Sequence, residues 1–122
     1  YIGGRSEELD AYIVKAYDME GNHLLTFGEK GKDGDDWLAY VSQIMEIPEG
    51  FFGIDANMRD LYIWGPDASV LGSVGAPDLF GARYAWIAGA AKQDDGSILV
   101  ALTQDRDDDS ATELLLYRLS GF

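Results

Sequence analysis

Two acidic runs are the first candidates for chemistry. Asp105-Arg106-Asp107-Asp108-Asp109 sets carboxylates at alternating positions, the spacing that opens a calcium-binding loop. Against the full loop pattern it departs twice: Ser110 stands where the sharp-turn glycine belongs, and Leu116 where the closing glutamate belongs. Ca²⁺ held by Asp105, Asp107 and Asp109 is one expectation, and a solvated acidic hairpin tip is the other. Asp33-Gly34-Asp35-Asp36 is a shorter run of the same kind. His23 is the single imidazole, so any histidine-based acid, base or metal role rests on it, and its place beside the turn residue Asn22 reads as surface. No Gly-x-Ser-x-Gly elbow, phosphate-binding loop or dinucleotide fingerprint is present, and Gly28-Glu29-Lys30-Gly31-Lys32 has the wrong spacing for a phosphate loop. The absence of cysteine removes disulfides, iron–sulfur clusters and thiol catalysis. No catalytic residue is assigned, and no cofactor is expected beyond the calcium just considered.

The elements that would carry these residues have strand periodicity nearly throughout. Ala11 to Tyr17 and His23 to Phe27 flank a turn at Met19-Glu20-Gly21-Asn22, and Glu29 to Asp36 is a polar loop. Val41 to Ile47 turns through Pro48-Glu49-Gly50 into Phe51 to Asp55; Leu61 to Trp64 turns through Pro66-Asp67 into Val70 to Val74. Trp86 to Ala91, Ile98 to Leu102 and Glu113 to Arg118 complete the set, with a helix conceivable only around Asp36 to Gln43. The expected fold class is all-β.

Internal repetition decides the expected architecture. Tyr17 to Gly28 lines up with Trp64 to Gly75, 47 positions on, and Gly50 lines up with Gly96, 46 positions on. Leu114 to Tyr117 aligns with the same aromatic-ended strand after a further 53 positions. Offsets in this range fit the four-stranded blade of a β-propeller, and the alternative is an antiparallel sandwich with evenly spaced turns. Tyr17, Trp64 and Tyr117 occupy equivalent positions and are expected to be structural. In the second hairpin Ala68 stands where the turn glycine would be.

The stretch Val14 to Gly28, a strand ending in an aromatic and followed by Asp18, Gly21-Asn22, Leu24-Leu25 and Phe27-Gly28, resembles the outer hairpin of NHL-type and related six-bladed propellers. The resemblance implies antiparallel four-stranded blades in an incomplete ring. Residues 1–28 would supply strands B, C and D of one blade, 41–75 a complete blade, and 86–122 strands A, B and C of the last. About two and a half blades cannot close, so the remainder of a propeller, or other copies of this chain, are expected at the open edges. In lactonase-type propellers acidic side chains on the inner strands hold a divalent metal, and Glu46, Glu49 and Asp55 are the corresponding candidates. The same frame places Trp37, Tyr40, Tyr84 and Trp86, with Arg83, in or beside the connections that emerge on one face. There they would form a ligand-contact rim or pack between blades.

Charge narrows the partners. With 22 acidic and 9 basic residues the net charge is −13, which excludes nucleic acid and an anionic membrane surface. No stretch is apolar and long enough for a membrane span. The chain opens on Tyr1 without a signal-peptide pattern. The compartment stays open: acidic, cysteine-free propellers are common in secreted or periplasmic settings, and a lack of cysteine fits either side of the membrane. Two functions are expected, in this order: a non-enzymatic binding or protein-interaction module with a protein or carbohydrate ligand, then a metal-dependent hydrolase of the lactonase type. If the 105–109 run holds calcium, millimolar Ca²⁺ raises the melting temperature and Mg²⁺ raises it less; an unchanged melting temperature removes the site.

Overall fold

The computed structural model describes residues 1–8, 10–28, 37–57, 59–80, 85–105 and 112–120. The described residues are strand and turn apart from one short helix, and form three antiparallel sheets. The first has the order β1-β2-β3, from Ile2–Ser6, Ala11–Tyr17 and His23–Phe27. The second is four-stranded, β4-β5-β6-β7, from Val41–Ile47, Gly50–Asp55, Asp60–Trp64 and Val70–Gly75. Helix α1, Ala76–Phe80, leads to the third, β8-β9-β10, from Ala85–Lys92, Ile98–Asp105 and Thr112–Leu119.

The four-stranded sheet lies between the other two because its central strands are apolar on both faces. Along β6, Leu61 and Ile63 face one side and Tyr62 and Trp64 the other, the two-residue period of an extended chain. On the first side Phe52, Ile54 and Leu61 pack against Ile98, Val100 and Leu102 of β9. On the second, Tyr62 and Trp64 pack against Val14 and Phe27 of the first sheet and against Leu38. Trp64 is fully buried, stacked on Tyr62 and edge-on to Phe27, with ring centroids 5.2 and 5.0 Å away. Burying a ring of this size contributes several kcal/mol, on the order of 3–5 by truncation. Tyr117 is half-buried against Phe80, whereas Tyr17, expected to be structural, is partly exposed beside His23 because β2 turns that position outward.

Two pairs of elements share their irregularities. In β2–β3, Tyr17 pairs with His23 and Ala16 with Leu25, so Leu24 is the extra residue of a bulge. In β6–β7, Trp64 pairs with Val70 and Ile63 with Gly72, so Leu71 is the extra residue. The inner strands are bulged as well, at Ser42 in β4 and at Ala88 in β8. Just past the first of these bulges, the Gln43 amide both donates to the Ala90 carbonyl and accepts from the Ala90 N–H, joining β4 to β8 across two sheets.

Turn chemistry matches the hairpins. Asp18 accepts the N–H of Asn22 and of Glu20, Asp67 the hydroxyl and then the N–H of Ser69, and Asp95 the hydroxyl and then the N–H of Ser97; these bonds hold all three carboxyls below the ordinary value. Ala68 takes a φ of 66°, the left-handed conformation its position in the hairpin demands, and its methyl is buried against the second cluster. The helix considered for 36–43 does not form. Val41–Ile47 is strand, paired with β5 from Val41↔Asp55 to Ile47↔Gly50, and the amides of Ala39 and Tyr40 go to Asp55.

Gly53 measures how tightly the Trp64 seam is closed. A Cβ there would lie 2.2 Å from Trp64 Cζ3, while one at Gly72 meets nothing within 4 Å. Gly53→Ala should therefore destabilise the chain by about 1–3 kcal/mol in urea unfolding, and Gly72→Ala should stay within about 0.5 kcal/mol of wild type.

Candidate functional site

The strands have two unlike ends. At one, tight turns join them: Asp18 to Asn22, Pro48-Glu49, Gly65 to Ser69 and Gln93 to Ser97. At the other, β3 and β5 end and β4, β6 and β8 begin, so the longer connections and most of the sequence-predicted site residues attach there.

Asp55 organises this end. It is fully buried at the last position of β5, and its carboxylate accepts the N–H groups of Ala39 at 2.6 Å, Tyr40 at 3.2 Å and Asn57 at 3.1 Å. The bond to Asn57 is the ordinary Asp turn, two residues on. The other two pull the 37–40 segment onto the end of the sheet, and Ala56 N–H completes the join to the Tyr40 carbonyl at 2.9 Å. Tyr12 N–H to the Leu38 carbonyl, at 2.9 Å, and Tyr62 O–H to the Trp37 carbonyl, at 3.3 Å, fix the same segment to the neighbouring strands. Its backbone is committed, so its large side chains are presented.

Trp37 is 41% exposed, its indole N–H donating to the Asp10 carbonyl, and Tyr40 is 49% exposed with its ring 5.4 Å from Tyr12. Trp86, the second residue of β8, is 52% exposed. The Arg59 guanidinium lies 5.0 Å from the Trp86 ring centroid, a cation–π contact that spans the second and third sheets. Arg59 holds a φ of 57°, pinned by the bond from Ala76 N–H to its carbonyl at 2.7 Å. Arg5 and Asp10 form an ion pair beside Trp37. The result is a discontinuous aromatic rim with cations on either flank: Arg5, Trp37, Tyr40, Arg59 and Trp86. Rings so placed offer faces for stacking and apolar contact.

The structure thus brings Trp37, Tyr40 and Trp86 to one end. Arg83 and Tyr84 lie outside the described residues, as do Asp107, Asp109 and the Asp33 to Asp36 run. Asp105 closes β9 at this same end, opposite Thr112 in the ladder. His23 is exposed, its Nε2 2.8 Å from the Thr26 hydroxyl.

The inner-strand carboxylates do not converge. Asp55 ends β5 and Glu49 precedes it, so six extended residues keep them apart by about 20 Å at ~3.3 Å per residue. Asp55 is also occupied by backbone amides. Glu46 is exposed and faces Phe51 in the ladder, near the Glu49 end. Among the described residues no three histidine, cysteine or acidic groups gather as a metal site would require. No helix among them is long and apolar enough to cross a membrane.

Sequence reasoning missed Arg59, Tyr12 and the role of Asp55. The Asp55-x-Asn57 spacing carried the turn signal. The cation–π pair, 27 residues apart in sequence, carried none. No protein-family model matches the chain, and no curated protein matches it.

Asp60 stands opposite Asp55 in the ladder, and burial, then the Asp55 charge, raises its carboxyl above the ordinary value of 3.8. A raised carboxyl favours folding at pH values where it holds its proton, and that contribution is lost as pH rises through its folded value. Asp60→Asn should therefore leave stability unchanged near pH 3 and raise it at pH 7. The gain should be about 0.5 kcal/mol once solvent screening is allowed for, read as the difference between urea midpoints at the two pH values.

Proposed function

We propose that the chain is a non-enzymatic binding module, built of successive β-propeller blades, that engages a partner protein through the end of the strands bearing Trp37, Tyr40 and Trp86. The observation that carries the reading is the exposure of three large aromatic rings on fixed backbone: Trp37 and Tyr40 on a segment bonded to Asp55 and Tyr62, and Trp86 in the β8–β9 ladder. Rigid, exposed aromatics beside arginine have the composition of interface anchors, since little conformational freedom is lost when they are covered.

The blade assignment draws support from the shared irregularities. The bulges at Leu24 and Leu71 are 47 positions apart, and those at Ser42 and Ala88 are 46 apart, the same spacings as the sequence repeats. Face-to-face packing of the sheets, with the Gln43 amide bridging the inner strands β4 and β8, is what neighbouring blades require. A metal-dependent hydrolase has less behind it, because Glu49 and Asp55 lie at opposite ends of β5.

A displayed peptide library and an oligosaccharide panel, each screened against the wild-type chain and the Trp37→Ala/Tyr40→Ala/Trp86→Ala variant, test the reading. Peptide ligands of the wild type should bind the triple variant at least about tenfold more weakly, a loss of ~1.4 kcal/mol or more. The melting temperature should fall by only a few degrees, since the three rings are half-exposed. Equal affinity of the selected peptides for both proteins would overturn the assignment, and selection of sugars alone would replace the protein partner with a carbohydrate.

A further inference from the structure

We propose that a small pocket between the first two sheets, next to Tyr40, takes an arginine side chain of a protein partner. That arginine belongs to the partner assigned above to the aromatic rim, so its role rests on that reading.

The pocket has a volume of about 170 Å³ and is walled by Tyr1, Gly3 and Tyr12 on one side and by Ser42, Gln43 and Ile44 on the other. That is room for one side chain, below the ~300 Å³ at which pockets for whole small molecules begin. Three features build it. A Cβ on Gly3 would lie 2.3 Å from the Tyr12 hydroxyl oxygen, so the glycine is what lets that ring lie across β1. The bulge in β4 brings Ser42, an exposed residue, to the opposite wall. The Gln43 amide is committed to Ala90, which holds that wall from behind. Tyr12 also connects the pocket to the rim, because its ring lies 5.4 Å from that of Tyr40, tilted by 55°.

The lining selects the occupant. None of the side chains around the pocket is basic. Lys15 alternates to the face of β2 opposite Val14 and Ala16, and Arg5 is paired with Asp10. Glu46 lies two residues beyond Ile44, on the face of β4 that meets the first sheet, and has no ion pair among the described residues. Its charge reaches the Tyr1 hydroxyl, which burial first and Glu46 second push above the ordinary value. A carboxylate entering here would meet Glu46 and a chain of net charge −13. A guanidinium is attracted by the same charge, stacks its flat face on a phenol ring and donates in its plane to tyrosine and serine oxygens. An ammonium is a more strongly hydrated point charge without that flat face.

The test titrates Nα-acetyl-arginine N-methylamide into the wild-type chain and follows the backbone amide resonances by NMR. Saturable shifts at millimolar ligand are expected at Gly3, Tyr12 and residues 42–44. The citrulline analogue, which keeps the shape without the charge, and the lysine analogue should each bind at least about threefold more weakly. Glu46→Gln should weaken the arginine probe roughly twofold and leave citrulline unchanged. Tyr12→Leu should abolish the shifts at 42–44, and if that variant does not fold, Glu46→Gln decides. No shifts at tens of millimolar, shifts centred elsewhere, or equal binding of arginine and citrulline would overturn the pocket.

Peptides selected on the wild-type chain separate this failure from failure of the rim. If the Trp37→Ala/Tyr40→Ala/Trp86→Ala variant loses them but exchanging their arginines for citrulline costs nothing, the rim stands and the pocket falls. If that variant binds them unchanged while the arginine probe still shifts residues 42–44, the rim falls and the pocket stands.

Discussion

One buried carboxylate governs how this protein meets its surroundings. Asp55 has no exposed surface, and burying an ionised group without partners costs several kcal/mol. Its partners are backbone amides from two segments, the 37–40 connection and the turn after β5. Because the charge is tolerable only while those amides surround it, the connection has one low-energy position. The exposure of Trp37 and Tyr40 follows from that: their backbone is spent on the cradle and on Tyr12, Tyr62 and Ala56, and the rings are left outward. The placement of Asp60 across the ladder shows the cost of this design, a second carboxylate kept near a buried one and moderated by Arg59 next to it.

The same Arg59 joins the cradle to the third sheet. Its carbonyl receives Ala76 N–H at the start of α1, and its guanidinium lies over Trp86. A single turn between β5 and β6 therefore positions both flanks of the aromatic rim, one through Asp55 and the other through Arg59. Beneath it the two hydrophobic clusters act as hinges that have been closed. Trp64 and Phe27 lock the first sheet to the second, and Ile54 and Leu61 lock the second to Val100 and Leu102. Movement of the rim relative to the sheets would require opening buried aromatic contacts, so the surface is preorganised.

Much of this was legible in the sequence, and the failures have physical reasons. The strands were legible because their apolar runs are bounded by turns with strong local chemistry, such as Asp67-Ala68-Ser69 and Asp95-Gly96-Ser97. The exposed positions of Trp37, Tyr40 and Trp86 could be anticipated only as one of two outcomes, since an aromatic beside a loop is equally suited to packing. The 36–43 helix was misleading because local propensity cannot see β5, whose ladder claims Val41 and Gln43 as strand. Helix α1 was not anticipated, although Pro77 and Asp78 stand where a first helical turn favours them. Arg59 gave no signal at all, because a cation–π contact between sheets depends on tertiary geometry alone.

The acidity of the chain takes on a second meaning once the edges are in view. Bulges protect β3, β4, β7 and β8 by geometry, which no change in solution conditions removes. β10 is unbulged along its described length, and the chain's net charge of −13 is what sets that edge against copies of itself. Such protection is conditional: it is weakened by salt over distances beyond about 10 Å at 0.1 M ionic strength, and it becomes attraction when the approaching strand is basic. A bulged edge refuses every strand, whereas an acidic edge refuses only strands of its own kind. An edge left to charge alone therefore separates approaching strands by their sign, a distinction that a bulge does not make.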